Sequence, residues 1–420
     1  MDSSLIKEGF RRTCPTPVRQ RVFGIREAAR GLAQKMMLRS VRVDACLLGG
    51  DSGVSAARFA RMVGDIRRAS CPISDWPHVK LLREYDRIGE QIWEPKVFEQ
   101  TEYYRNAALN IEMCGSFHSA VNPNQIQWGA RRFVDAYRGL GQTLPLQDGE
   151  SYVRDSEQIA VRPVKHSKCY QVVEGHHRLS IAYMRGVQEV RALIKQPPVM
   201  TPVQELLLDV LWINGRRELY QPIDSPEVAD WVLVRRCSDR LAKMVEFLRA
   251  EGLMPPVSST YLDVACSYGW FVSEMEKEGF RAEGVERDPM AISVGKVMYG
   301  LRQEQVHRSD SVTFLRALQG RYDVTSCFSL IHHYLLNRLN ASPEELLHLL
   351  DSATGRVMFF DMGQSHEYPG EKLQGWDPDR IHAWLQDNTS FTRVVRLGPD
   401  GDAVPPHQHD FGRMLFACLR

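Results

Sequence analysis

Long apolar runs are missing from this sequence. None approaches the roughly 18 residues that a membrane span needs, and Ala45 to Gly50 is too short even for the apolar core of a signal peptide, so a cytoplasmic location is expected. Paired cysteines are missing too. The nine (14, 46, 71, 114, 169, 237, 266, 327 and 418) contain no Cys-x-x-Cys, which argues against a zinc ribbon or a disulfide framework and fits a reducing compartment; no metal-binding set is expected. Charge of one sign is lacking in the whole, at +1, but not in its parts: residues 1–70 carry 14 Lys/Arg against 6 Asp/Glu, and residues 71–420 carry 39 against 46. Neither Gly-x-Gly-x-x-Gly nor a glycine loop ending in Lys-Ser/Thr occurs, which removes the usual dinucleotide and triphosphate cradles.

What is present fits a soluble chain of two or three domains, with 420 residues, 43% hydrophobic and 25% charged. Residues 1–70 read as a basic helical segment. Arg19, Arg21, Arg26, Arg30, Lys35 and Arg39 interleave with Val22, Ile25, Ala29, Leu32 and Met36, the pattern breaks at Leu48 to Gly53, and it resumes from Val54 to Arg68. Such a face suits either packing on the next domain or docking on anionic lipid, nucleic acid or a glycan phosphate, which would allow contact with a membrane surface or a polysaccharide-assembly complex. Helices are expected over Val79–Ile88, Thr101–Met113 and Asn124–Tyr137, with the dense aromatic residues between Trp76 and Phe133 mostly in the core.

Two stretches carry chemistry. In the first, Ile159–Val164 and Tyr170–Val173 read as strands, and Glu174, Gly175, His176, His177 and Arg178 lead into a helix stopped by Gly186. A glycine, two histidines and a guanidinium at a helix N-terminus make a phosphate-type anion site, with Lys168 nearby. The histidines could equally be hydrogen-bonded in a structural turn. Pro197, Pro198 and Pro202 then mark a stiff boundary, a helical connector spans 201–252, and a helix is expected from about Val228 to Glu251.

In the second, Tyr261–Phe271 reads as strand, tight turn and helix, with one glycine at 269, no lysine, and Asp263 near the strand end. This suits a nucleoside ligand carrying positive charge, as S-adenosylmethionine does. Strands and helices then alternate, which argues for a doubly wound parallel sheet. Glu286 ends the next strand 23 residues beyond Asp263, where an acid can accept from both ribose hydroxyls. Asp310 follows a third strand, Tyr322–Ser329 forms a fourth, and Arg356–Asp361 a fifth. Val394–Leu397 and Arg413–Cys418 close the sheet as an antiparallel pair.

The stretch 159–194, with its Gly175 to Arg178 box, resembles the ParB/sulfiredoxin superfamily, which includes nucleotide-binding proteins and small-molecule kinases. That implies an N-terminal α+β domain over 71–200, binding ATP or another nucleotide with Mg2+. Glu174 and His177 are its catalytic candidates, and Gly175, His176, His177, Arg178 and Lys168 would hold phosphates. Glu174 stands where the family more often has Asp, and no residue before 159 matches the kinase members' carboxylate.

The order from Thr260 onward resembles the class I S-adenosylmethionine-dependent methyltransferases, implying a C-terminal Rossmann-like α/β domain over 253–420. The resemblance assigns Asp263, Ala265, Cys266, Gly269, Glu286, Arg287, Asp310 and Ser329 to the cofactor, and His332 and His333 to catalysis. Short strings at Phe359–Gln364, Trp376 and Gly412–Ala417 are also similar to the bifunctional enzymes that phosphorylate and methylate the ends of bacterial O-antigen chains.

The implied function is phosphorylation and O-methylation of a glycan, sugar phosphate or other small-molecule acceptor in surface-polysaccharide synthesis. Two alternatives stand beside it. One is a small-molecule O-methyltransferase of secondary metabolism with a non-catalytic ParB-like domain. The other is a nucleic-acid-binding regulator, which ranks below because neither a helix-turn-helix nor the (Asp/Asn)-Pro-Pro-(Tyr/Phe) signature of DNA amino methylation occurs.

Overall fold

The computed structural model describes residues 38–50, 53–139, 158–336, 341–367, 373–405 and 412–420. The chain divides into two compact units, Met1–Pro202 and Val203–Arg420. The basic stretch from Arg19 to Lys35 lies outside the described residues.

The first unit is α+β. Its mixed sheet joins β1 (Leu38–Arg42), β2 (Cys46–Leu47), β3 (Ala160–Pro163), β4 (Tyr170–Glu174) and β5 (Glu189–Ile194) in the order β1-β5-β3-β4-β2. Here the structure corrects the reading of residues 1–70 as helical. Leu38–Arg42 and Cys46–Leu47 are strands joined by a single 3-10 turn, Val43–Ala45, because Val41, Val43, Cys46 and Leu47 turn into the core, and β1 pairs antiparallel with β5. Among the described residues of that stretch an α-helix runs over Ala56–Met62, started by Ser55, whose side chain accepts the Arg58 N–H, and a 3-10 helix over Ile66–Ser70.

Three longer helices cover the other side, Pro77–Ile88, Glu102–Cys114 and Pro123–Arg138. Thr101 and Asn122 cap the second and third by accepting the N–H of Tyr104 and Gln125, each cap contributing about 1 kcal/mol. Phe98, Tyr103 and Phe133 are buried among them, whereas Trp128 is 62% exposed.

The second unit is α/β and takes in residues 203–252, the stretch read as a connector. The helix expected from Val228 starts only at Ser238 and runs to Ala250, and Val232–Leu233 is a short strand (β7) paired in parallel with Glu218–Leu219 (β6). The cause is tertiary: the Arg236 N–H donates to the Asp402 carbonyl and Arg235 pairs with Asp400, which commits the chain to a loop that ends in a left-handed turn at Cys237.

The seven-stranded sheet comprises β8 (Thr260–Val264), β9 (Arg281–Glu286), β10 (Val306–Arg308), β11 (Tyr322–Cys327), β12 (Thr354–Phe360), β13 (Arg393–Pro399) and β14 (Met414–Leu419), in the order β10-β9-β8-β11-β12-β14-β13. The first five are parallel, and β14 runs antiparallel to both β12 and β13. Leu262, Val264, Val324 and Val357 are fully buried within it, as near-continuous apolar strands of a two-sided sheet must be. The chain turns back on itself at β8, flanked by β9 and β11. In such sheets the crevice at the carboxyl ends beside that reversal is where ligands bind. Among the described residues no helix is long and apolar enough to cross a membrane.

Candidate active site

At the carboxyl end of β8 the backbone enters the left-handed region three times in five residues, at Ala265 (φ 63°), Ser267 (φ 54°) and Gly269 (φ 79°). Two of these are not glycine, and such residues cost of order 1–3 kcal/mol each, a strain kept where the surroundings hold it. The loop is held on several sides. The Cys266 N–H donates to the Val285 carbonyl at 3.0 Å, and the Ser267 N–H donates to Glu286 Oε2 at 2.9 Å. Gln221 braces it from outside the parallel strands, donating to the Cys266 carbonyl and accepting the Trp270 N–H.

A single loop glycine suffices because neighbouring elements supply the others. A Cβ on Gly284 of β9 would lie 2.6 Å from Cys266 Sγ, and one on Gly295 would lie 2.2 Å from the Tyr268 carbonyl oxygen.

Beyond this loop opens a cavity of about 500 Å³. Of the residues expected to bind cofactor, Ala265, Glu286, Arg287, Asp310 and Ser329 line it, as do the two expected catalytic residues, His332 and His333. Asp263, Cys266 and Gly269 stand behind. Asp263 is buried and accepts the Ser326 hydroxyl at 2.6 Å, and its burial raises its pKa to about 7 against the pull of Ser326 and Arg240.

Glu286 accepts three backbone N–H groups, from Ser267, Arg287 and Asp288 at 2.8–2.9 Å, which leaves one of about four carboxylate lone-pair sites for a ligand hydroxyl. Asp310 caps the next helix through Oδ1, while its Oδ2 makes no hydrogen bond among the described residues. Two carboxylates at consecutive strand ends, over a strained loop and a cavity of this size, form an acceptor set that fits the nucleoside of S-adenosylmethionine.

The other wall was not foreseen from sequence. Arg235 and Arg413 line the cavity, and both belong to a buried ionic network with Arg240, Asp361, Glu367, Asp400 and Asp402. Arg413 grips Glu367 with two nitrogens at 2.7 Å each and donates to the Ser329 hydroxyl at 2.6 Å, and the Ser329 N–H donates to Asp361. Burial alone would raise the Asp361 pKa, but Arg240, Arg413 and Arg235 pull it below the ordinary value, so it stays ionised.

Trp212 and Tyr220 also line the cavity, with ring centroids 5.2 Å apart. The half-exposed Trp212 was the available signal. The N–H of Gly363 donates to Nδ1 of His332 at 3.2 Å. In the neutral ring the proton therefore sits on Nε2.

In the first unit, the residues from Glu174 to Arg178 are split by their surroundings. Gly175 is left-handed (φ 100°) and precedes the helix His176–Met184. His176 is a core side chain, 5% exposed; its Nε2 accepts the Gly49 N–H at 3.2 Å, and burial lowers its pKa to about 3. That removes it from the surface where a phosphate would be met. Nε2 of His177 lies 2.9 Å from the Tyr103 hydroxyl. Glu174 is exposed, 3.7 Å from the Lys195 ammonium, and Lys168 is exposed just before β4.

Residues 233–397 match the family described as a methyltransferase domain. No curated protein matches the chain. Among solved structures it is similar to the bifunctional kinase-methyltransferase WbdD, at 18% identity over 52% of this chain and 46% of that one, with a TM-score of 0.39. It is also similar to magnesium protoporphyrin IX methyltransferase (ChlM) from Synechocystis PCC 6803, at 16% identity over 43% of this chain and 78% of that one, TM-score 0.31. A third is a SAM-dependent methyltransferase from Archaeoglobus fulgidus, at 17% identity over 44% and 95%, TM-score 0.32. The chain thus spans about half the length of the kinase-methyltransferase it matches.

Proposed function

We propose, from the methyltransferase domain that residues 233–397 form, that this enzyme transfers a methyl group to an oxygen of an acceptor bearing an anionic group, a sugar phosphate or phosphorylated glycan of surface-polysaccharide synthesis. The observation that carries this reading is the presence of Arg235 and Arg413 in the same cavity as Glu286 and Asp310. When bound, S-adenosylmethionine supplies an electrophilic sulfonium methyl. The protein's own part is chiefly alignment, an effect that reaches about 7–11 kcal/mol in well-oriented cases.

Glu286 and Asp310 would hold ribose and adenine, and the backbone of the Ala265–Gly269 loop the methionine portion. The guanidinium groups would orient the acceptor's anion. A hydroxyl acceptor needs a base, and His333 is the residue in the cavity left for that role. An ionised phosphate oxygen needs none.

For the first unit the reading is nucleotide binding at the turn Gly175–Arg178, in service of phosphorylating the same acceptor. Its support is the left-handed glycine that opens a helix N-terminus beside Arg178. The basic stretch within residues 1–70 would serve contact with a membrane surface or an assembly complex on the cytoplasmic side. Titration of ATP with Mg2+ into wild type and Arg178→Ala tests the nucleotide reading, which fails if both bind equally or not at all.

Mass spectrometry of a glycan extract incubated with S-adenosylmethionine, with and without ATP, tests the whole. Gain of phosphate and methyl together is expected. Methyl transfer that ignores ATP and phosphate would favour the small-molecule alternative.

A further inference from the structure

The first unit brings three histidines together from well-separated segments. His78 is the second residue of the helix Pro77–Ile88, His118 follows the helix Glu102–Cys114, and His177 is the second residue of the helix His176–Met184. One ring nitrogen from each lies within 4.8 Å of the other two, and the ring centroids are 5.0 Å (His78 and His177), 4.5 Å (His118 and His177) and 6.1 Å (His78 and His118) apart.

His78 is 2% exposed, and neither of its ring nitrogens has a hydrogen-bond partner among the described residues. Buried polar atoms are nearly always satisfied, so an imidazole left unpaired on both sides needs an explanation. His118 is the first central residue of the two-residue turn between the paired Phe117 and Ala120, which gives it and Ser119 positive φ (46° and 71°) and brings its ring to the other two.

We propose that His78, His118 and His177 form a binding site for a divalent transition-metal ion, with at least one coordination position left open on the exposed His118 side. The chemistry of the set selects the metal. Imidazole nitrogens suit zinc, cobalt, nickel or iron and not magnesium or calcium, which take oxygen ligands. Three protein ligands leave room for water or an anion, the pattern of a reactive site rather than a closed structural one.

Tetrahedral coordination with bonds of about 2.0–2.1 Å puts ligand nitrogens roughly 3.4 Å apart, so the rings need to close by little more than an ångström. His118 lies on an exposed turn, whereas His78 is buried. The Tyr103 hydroxyl, 2.9 Å from His177 Nε2, orients that ring. No carboxylate belongs to the set, so a bound ion keeps its double charge, and with Arg68 and Arg178 close enough to act on these rings the open position favours an anionic ligand.

The site is independent of the methyl-transfer reading, and the two fail separately. The test is titration of the metal-free full-length protein with Co(II), followed by visible absorption. One equivalent should produce nitrogen-ligand d–d bands without the near-ultraviolet thiolate charge-transfer band, and Zn(II) should abolish them. The exposed His118→Ala should weaken binding roughly ten-fold or more, and His78→Gln should remove the bands, while circular dichroism and thermal unfolding report that each variant is folded. A folded wild type that gives no bands, a thiolate band, or equal affinity in wild type and both variants overturns the proposal.

Discussion

Replacing Glu286 by Gln tests the cofactor reading at its most constrained point. The wild-type carboxylate faces three N–H donors, two on Oε1 (Arg287 and Asp288) and one on Oε2 (Ser267). An amide can keep its oxygen on the side with two donors, which turns its NH2 against the Ser267 N–H. One charge-assisted hydrogen bond is then lost, worth about 1.5–3 kcal/mol, and the strained Ala265–Gly269 loop loses its tether to β9. The same oxygen is the one left to accept from the ligand's ribose, so S-adenosylhomocysteine should bind roughly 10- to 150-fold more weakly. Isothermal titration calorimetry on wild type and Glu286→Gln measures this directly, with circular dichroism to show that both are folded. Affinity within two-fold of wild type in a folded variant would refute the placement of the nucleoside at Glu286.

Three further outcomes follow from the same geometry. Asp263, with its pKa raised to about 7 from an ordinary 3.8 by burial, favours the folded state while protonated, and that contribution fades as pH rises from about 4 to 7. Asp263→Asn should therefore gain stability relative to wild type across that window, by as much as about 1.4 kcal/mol per pH unit in urea titrations, and parallel curves would contradict it. Arg240→Met removes the buried cation that Asp361 and Asp402 share and should cost about 3–5 kcal/mol by the same measurement. Gly295→Ala drives a methyl group into the Tyr268 carbonyl and should cost about 1–3 kcal/mol and weaken S-adenosylhomocysteine binding, whereas Gly129→Ala, in open space on a helix, should not destabilise the protein.

The sheet was legible wherever a local pattern decided it. Acids at 263, 286 and 310, at or just past the ends of short strand patterns, mark consecutive strands, because a parallel sheet places polar ligand contacts at the carboxyl ends of its strands. The helix expected from Thr101 starts there for an equally local reason, since the Thr101 side chain accepts the Tyr104 N–H. Arg235 and Arg413 were illegible as site residues because long-range ion pairs put them there: Asp400 holds the first and Glu367 the second. Gln221 braces a loop 45 positions further along the chain, a contact that no spacing rule announces. The histidine cluster escaped because the familiar metal motifs space their ligands within one turn or helix, and here three separate segments contribute one each. His176 misled for the opposite reason, since adjacency in sequence to His177 says nothing about which of the two faces the core.

The claim that stands above the rest is methyl transfer to an oxygen acceptor positioned by cavity arginines. The direct test offers the enzyme methyl-labelled S-adenosylmethionine with a pair of acceptors, a sugar phosphate and the same sugar without its phosphate. Label appearing on the phosphorylated acceptor, with little on the other, is the predicted result. Equal labelling of both, or none of either by protein that binds S-adenosylhomocysteine, would contradict it.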